Sequence, residues 1–198
     1  IVSCASISTP TGGPRDYTPP VYKKSNPSQN QTEVKSKKLT IDFDEVIQLD
    51  RPSENVIISP PQKEMPKIKA NLKRIDIELL DSLLPNTSYT IDFGSAIKDN
   101  NEGNILNGFS LAFSTGKELD SLQISGIVLN AKDLEPVTGM TIGLHPADND
   151  TAFTTLPFSR VTRTDIYGRF TIKNIAEGRY KVYGVIDADR NYKFNANT

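Results

Sequence analysis

The sequence predicts an all-β protein in which two tandem β-sandwiches follow an extended N-terminal tether. Three observations carry that expectation. Short runs of apolar residues recur with a period of two from Leu39 onward. Clusters of Gly, Pro, Asn and Asp separate the runs, and residues 1–20 show neither helical nor strand periodicity. A chain of 198 residues, 36% of them hydrophobic, is long enough for one large or two small cores, and the break in the pattern near residue 117 favours two. With 23 basic and 24 acidic residues the net charge is -1, which provides no long-range field to draw nucleic acid. The sequence contains no run of ~20 apolar residues that could form a transmembrane helix. One cysteine excludes an internal disulfide and a thiolate metal cluster.

Residues 1–20 come first. From Ser6 to Pro20 the chain has four prolines and the pair Gly12-Gly13, a composition that keeps a segment extended and hydrated with one hinge. Ahead of it, Ile1-Val2-Ser3-Cys4-Ala5 resembles the end of a bacterial lipobox. The resemblance implies cleavage before Cys4 and lipid modification of its thiol. Several acyl chains on one cysteine give stable anchoring, since each buried methylene contributes ~0.8 kcal/mol. The run from Cys4 through Gly12-Gly13-Pro14-Arg15-Asp16 to Pro19-Pro20 also resembles the start of Ig-like lipoproteins of Bacteroidota.

The first sandwich is expected over residues 21–116. Alternation marks strands at Leu39–Asp44, Ile75–Leu79, Tyr89–Phe93 and Phe109–Phe113, with shorter ones at Val56–Ile58 and Lys67–Ala70. The turns between them are Ser59-Pro60-Pro61, Leu84-Pro85-Asn86-Thr87 and Asp99–Asn104. Leu84–Ile91, Ile97–Asn104 and Phe113–Gly116 together resemble the bacterial Ig-like domain of surface-layer and envelope proteins, an architectural module that implies no catalytic residue. The acids Asp42, Asp44, Glu45, Asp76, Glu78 and Asp92 alternate with core positions. They read as a solvated face rather than a carboxylate pair for glycoside hydrolysis. Lys67, Lys69, Lys73 and Arg74 lack interleaved aromatics and read the same way. Asp99–Asn104 reads as a hairpin turn rather than a calcium loop.

After a charged linker at residues 117–121, a second sandwich is expected over residues 122–198, truncated at its C-terminal end. Strands begin near Leu122, Thr141, Phe170 and Tyr180. Ser125–Val128, Pro136–Gly139, Thr164–Phe170 and Glu177–Tyr180 resemble the carboxypeptidase-regulatory, transthyretin-like module. That resemblance implies a non-catalytic accessory domain in which Gly168 takes a hairpin turn and Phe170 enters the core. Asp148 to Arg160 has no period and is expected to be a loop free to make contacts. Asp187, Asp189 and Asn191 match the opening of an EF-hand loop as calcium candidates. Tyr192 stands where that loop needs Gly and Thr198 where it needs a bidentate acid, so a strand-end turn is favoured. His145 is the sole histidine and is expected at a loop or sheet edge.

The sequence contains no nucleophile elbow, phosphate-binding glycine loop or zinc spacing, so no catalytic residue and no cofactor is expected. The expected role is a non-enzymatic lipoprotein of the outer membrane, acting as a structural or adaptor subunit of a cell-envelope complex. Its expected partners are the membrane, through the lipid on Cys4, and another envelope protein such as an outer-membrane β-barrel. A glycan- or peptide-binding lipoprotein is the alternative, and the lack of Trp weighs against glycan.

Overall fold

The structure, a computed structural model, describes residues 15–148 and 151–194. The first half of the chain forms β1 (Tyr22–Asn26), β2 (Lys38–Phe43), β3 (Ile47–Leu49), a single helical turn α1 (Pro52–Asn55), β4 (Ile57–Ser59), β5 (Lys67–Asn71), β6 (Arg74–Glu78), β7 (Ser88–Asp92), β8 (Ile97–Asp99), β9 (Ile105–Leu106) and β10 (Ser110–Ser114). The second half forms β11 (Leu122–Ile127), β12 (Thr141–Pro146), a helical turn α2 (Ala152–Thr155), β13 (Arg160–Arg163), β14 (Arg169–Ile175) and β15 (Tyr180–Val185). The fold is a tandem pair of β-sandwiches.

In the first sandwich a sheet ordered β1-β2-β6-β5 opposes one ordered β10-β7-β4, and the small sheet β3-β8-β9 completes it. The period-two pattern explains the layers. Leu39, Ile41, Phe43, Ile75 and Ile77 face inward from one sheet, and Ile58, Tyr89, Ile91, Leu111 and Phe113 from the other. Tyr89 and Phe113 stack at a centroid distance of 5.1 Å, and the Tyr89 hydroxyl accepts the Leu84 N–H at 2.8 Å, so the buried phenol is satisfied. On the outer face the alternating acids are matched by cations. The Arg74 Nε lies 2.6 Å from Asp42 Oδ1, and Lys67 Nζ lies 3.2 Å from Glu78. Asp16 and Thr18, expected within the tether, already lie against this sandwich, with their carbonyls accepting from the Asn104 side chain.

The second sandwich sets the ribbon β11-β14 against the sheet β13-β12-β15 around Ile142, Leu144, Ile172 and Ile175. Gly168 takes the turn at φ +70°, and a Cβ there would stand 2.4 Å from the Val128 carbonyl oxygen, so both backbone angle and space require glycine. Phe170 packs against the core.

Two expectations change here. His145 is not at a loop or sheet edge. It sits in the central strand β12, 3% exposed, with Phe158 and Tyr183 at centroid distances of 5.1 and 6.1 Å. The segment from Asp148 to Arg160 is not a free loop, because Phe158 lies directly over Gly143 and Phe153 stacks on Tyr183 at 4.2 Å and Phe194 at 4.5 Å. Aromatic area closes the outer face of the sheet where a periodic strand would otherwise be needed.

Candidate functional site

The feature that fixes how the molecule presents itself is the junction between the sandwiches. Edge strand β4 of the first runs beside edge strand β13 of the second, and the buried Val161 N–H donates to Ser59 Oγ at 3.2 Å. Nearby, Arg163 Nη1 donates to the Glu54 carbonyl at 2.8 Å, and Arg190 Nη2 lies 3.6 Å from Glu54 Oε1. Asn174 is the centre of the network. Its Oδ1 accepts from Thr90 Oγ1 at 2.9 Å and its Nδ2 donates to the Asp120 carbonyl at 2.8 Å, while Asp120 N–H donates to Ser88 Oγ at 2.8 Å.

Local backbone explains why Asn174 points there. The register of β11 and β14 slips between Leu122↔Ile175 and Ile124↔Ile172, so two residues of β14 oppose one of β11. Asn174 is in this bulge at φ +54°, a left-handed angle that Asn tolerates, and the bulge turns its amide toward the first sandwich. A gap of about 10 Å³ remains between Ser59, Thr90, Thr162 and Thr171, the room of one water molecule. Burial lowers the pKa of the Arg160 guanidinium at this junction, and Asp120 offsets that.

A cleft of about 320 Å³ opens beside the junction, floored by Val56, Ile58 and Ile68 and walled by Arg190, Asn191 and Tyr192. Two of the calcium candidates, Asp189 and Asn191, line that wall, and Asp187 does not. Asp187, Asp189 and Asn191 share one turn, in which Asn191 Nδ2 donates to Asp189 Oδ2 at 2.7 Å, Tyr192 N–H to Asp187 Oδ2 at 3.2 Å and Lys193 N–H to Asn191 Oδ1 at 2.8 Å, while the buried Asp187 Oδ1 has no hydrogen-bond partner among the described residues. Burial, then the adjacent Asp189, pushes the Asp187 pKa up. Among the described residues no group of three or more His, Cys, Asp or Glu side chains is placed to hold a metal ion. Cys4 lies outside the described residues.

The Asp99 loop is built around its carboxylate. Oδ1 accepts from the N–H groups of Asn101, Glu102 and Gly103 at 2.8, 2.6 and 2.9 Å, and Oδ2 from Asn104 at 2.7 Å. Burial alone would raise its pKa, but the four donors outweigh it and hold the pKa below the usual carboxylate range. Both oxygens serve the hairpin. His145 is held neutral by burial, which lowers its pKa, and its Nε2 has no hydrogen-bond partner among the described residues.

A family profile described as a bacterial Ig-like domain matches residues 16–115, the whole run from the strand-leading segment through β10. The chain belongs to the bacterial Ig-like domain family. A search of curated proteins finds no match. Among solved structures, the chain is similar to an L,D-transpeptidase from Mycobacterium smegmatis at 9% identity, covering 85% of this chain and 77% of that one with a TM-score of 0.36. It is similar to the N-terminal part of the bacterial S-layer protein SbsC at 14% identity, over 85% of this chain and 44% of that one, TM-score 0.34. The T6 backbone pilin of serotype M6 Streptococcus pyogenes matches at 8% identity over 74% of this chain and 42% of that one, TM-score 0.26.

Within the Ig-like sandwich the junction face has a signal that the alternation reading missed. Outward positions of β2 and β6 hold Asp42, Arg74, Asp76 and Glu78, whereas those of β7 and β10 include Ser88, Thr90, Ala112 and Ser114, all buried. Small hydroxyl and methyl side chains allow a second layer to approach and still satisfy its polar groups, which charged side chains do not.

Proposed function

We propose that this protein is a non-enzymatic, lipid-anchored adaptor of the bacterial outer membrane, with the lipid on Cys4. Its Ig-like sandwich and a carboxypeptidase-regulatory, transthyretin-like second module hold a partner envelope protein, such as a β-barrel, at a fixed place in a Bacteroidota envelope. The observation that carries this reading is the junction. Ser59, Thr90, Asn174 and Asp120 join the two sandwiches through one buried and two part-buried hydrogen bonds, which makes a stiff two-module body. A stiff body on a short tether sets the distance and orientation of whatever it binds. The sole histidine is sealed among aromatic rings and held neutral, which removes it from use as a surface base.

The test is fractionation of cells expressing the wild type and Cys4→Ala, followed by gentle detergent extraction. The adaptor reading expects wild-type protein in the outer membrane with a barrel protein co-purifying in fixed ratio, and the Cys4→Ala protein in the soluble fraction. Membrane retention of Cys4→Ala in a strain lacking the co-purified partner contradicts anchoring. Strong glycan-array binding by the soluble chain would replace the adaptor with a glycan receptor.

A further inference from the structure

We propose that the free edge of β11 is a docking site for an extended, acidic segment of a partner protein, which adds beside it as a further strand. The proposal deepens the adaptor reading and rests on it for its setting.

Free sheet edges pair readily with other chains, and proteins guard them with charge or cover. The Ig-like sandwich does both. Edge β1 carries Lys23 and Lys24, and edge β5 carries Lys67 and Lys69. Edge β10 is covered by the preceding chain, with Asn30 N–H donating to the Ala112 carbonyl and Ser114 N–H to the Gln31 carbonyl, each at 2.8 Å. Edge β4 is covered by β13. β11 is different. Its sequence Leu122-Gln123-Ile124-Ser125-Gly126-Ile127 has no charge, and Leu122 and Ile127 are 51% and 58% exposed.

The backbone groups on that edge can be placed. Val128 N–H donates to the Gly168 carbonyl at 2.8 Å, toward β14. Alternation along the regular register from Ile124↔Ile172 to Ile127↔Arg169 turns the N–H and C=O of Ser125 and Ile127 the other way, to the open side. The Ser125 and Thr171 hydroxyls lie 3.0 Å apart, consistent with a pair of this non-bonded type. Beyond β11, the apolar side chains continue in exposed Leu129, Ile166 and Tyr167. This gives an aliphatic and aromatic patch with Arg169 over the Tyr167 ring at 5.6 Å, the residue mix of interface anchors.

Charge decides the occupant. Arg169 stands at an outward position of β14, opposite Ile127 and directly behind the uncharged β11, whereas Lys173, in the bulge, reaches Ser110 of the first sandwich at 3.5 Å. Asp165, the adjacent acid, spends Oδ1 on the N–H groups of Tyr167 and Arg169. A strand added to β11 would lie about 10 Å from β14, two strand spacings, within the combined reach of an arginine and a glutamate. Acidic side chains alternating with apolar ones therefore complement this edge. A second copy of the chain does not, because antiparallel β11–β11 pairing would set another uncharged strand against this edge and leave Arg169 of each copy without an acidic partner.

The experiment is amide hydrogen exchange and NMR titration of the full chain with a synthetic ten-residue peptide alternating glutamate and valine. A lysine–valine peptide of the same length is the comparison. The expected result is exchange slowed at least tenfold at Ser125 and Ile127 by the acidic peptide alone. Ser125→Pro, which removes one outward N–H while leaving the β14 side intact, should abolish binding, and Arg169→Glu should weaken the acidic peptide and favour the basic one. No protection at Ser125 and Ile127 overturns the proposal, as does equal binding of both peptides or a peptide preference unmoved by Arg169→Glu. Concentration-dependent dimerisation lost in Ser125→Pro overturns it in favour of a second copy. These readings need no membrane, so their failure is separable from failure of the Cys4 test.

Discussion

Replacing Asn174 separates the junction's two contributions. Asn174→Gly removes both side-chain hydrogen bonds, to Thr90 and Asp120, but suits the left-handed angle of φ +54°. At a net ~0.5–1.5 kcal/mol per bond, the loss is about 1–3 kcal/mol. Asn174→Ala loses the same bonds and adds ~1–2 kcal/mol for a Cβ in the left-handed region, about 2–5 kcal/mol in total. Urea denaturation followed by tyrosine fluorescence reads these losses. With a slope of ~2 kcal/mol per molar, they move the midpoint by roughly 0.5–1.5 M for Gly and 1–2.5 M for Ala. Hydrogen exchange at β12 should accelerate in both variants, because the small core around Ile142 and Ile172 depends on the docked face. Both variants within ~0.5 kcal/mol of wild type, or Gly more damaging than Ala, would refute the assignment of Asn174 as the bulged, bridging residue.

Three further outcomes follow from the geometry. Gly143→Ala puts a Cβ 2.1 Å from Phe158 Cγ, so the ring must leave β12; the expected cost is ~1–3 kcal/mol, with loss of ring-current shifts at His145. Burial sets the His145 pKa below its unfolded value, so the unfolded state binds the extra proton first. Stability should fall as pH drops below ~6.5, and His145→Phe should flatten that slope in urea midpoints taken from pH 7.5 to 5. The Asp99 pKa is also depressed, so its contribution is complete above ~3.9 and lost as pH falls further. Asp99→Ala should therefore be less stable than wild type at pH 7, with the difference shrinking by pH 2.5.

Much of the fold was legible where one face is apolar and the other charged. Ile75-Asp76-Ile77-Glu78 could hardly be anything but a half-buried strand, and β6 is that strand. Legibility failed where burial comes from outside the segment. Tyr22–Asn26 has no apolar period and is a strand through its pairing with β2. No strand was expected just after the Asp148–Arg160 loop, yet Arg160–Arg163 is β13, with Val161 and Thr162 buried between β12 and the first sandwich. His145 looked peripheral because the rings that cover it, Phe158 and Tyr183, are 13 and 38 positions away in sequence. The junction itself could have been suspected from Ser88, Thr90, Ala112 and Ser114, where the alternation persists but the charges disappear. Its key residue could not, since the bulge that aims Asn174 depends on a register slip that no local pattern specifies.

Through the hydrogen bonds of the junction the two sandwiches should move as one stiff body. Residual dipolar couplings of backbone amides in a weakly aligned sample measure this directly. Couplings from residues 22–114 and from residues 122–185 should fit a single alignment tensor, and Asn174→Ala should split it. Two tensors of different magnitude in the wild type would contradict it.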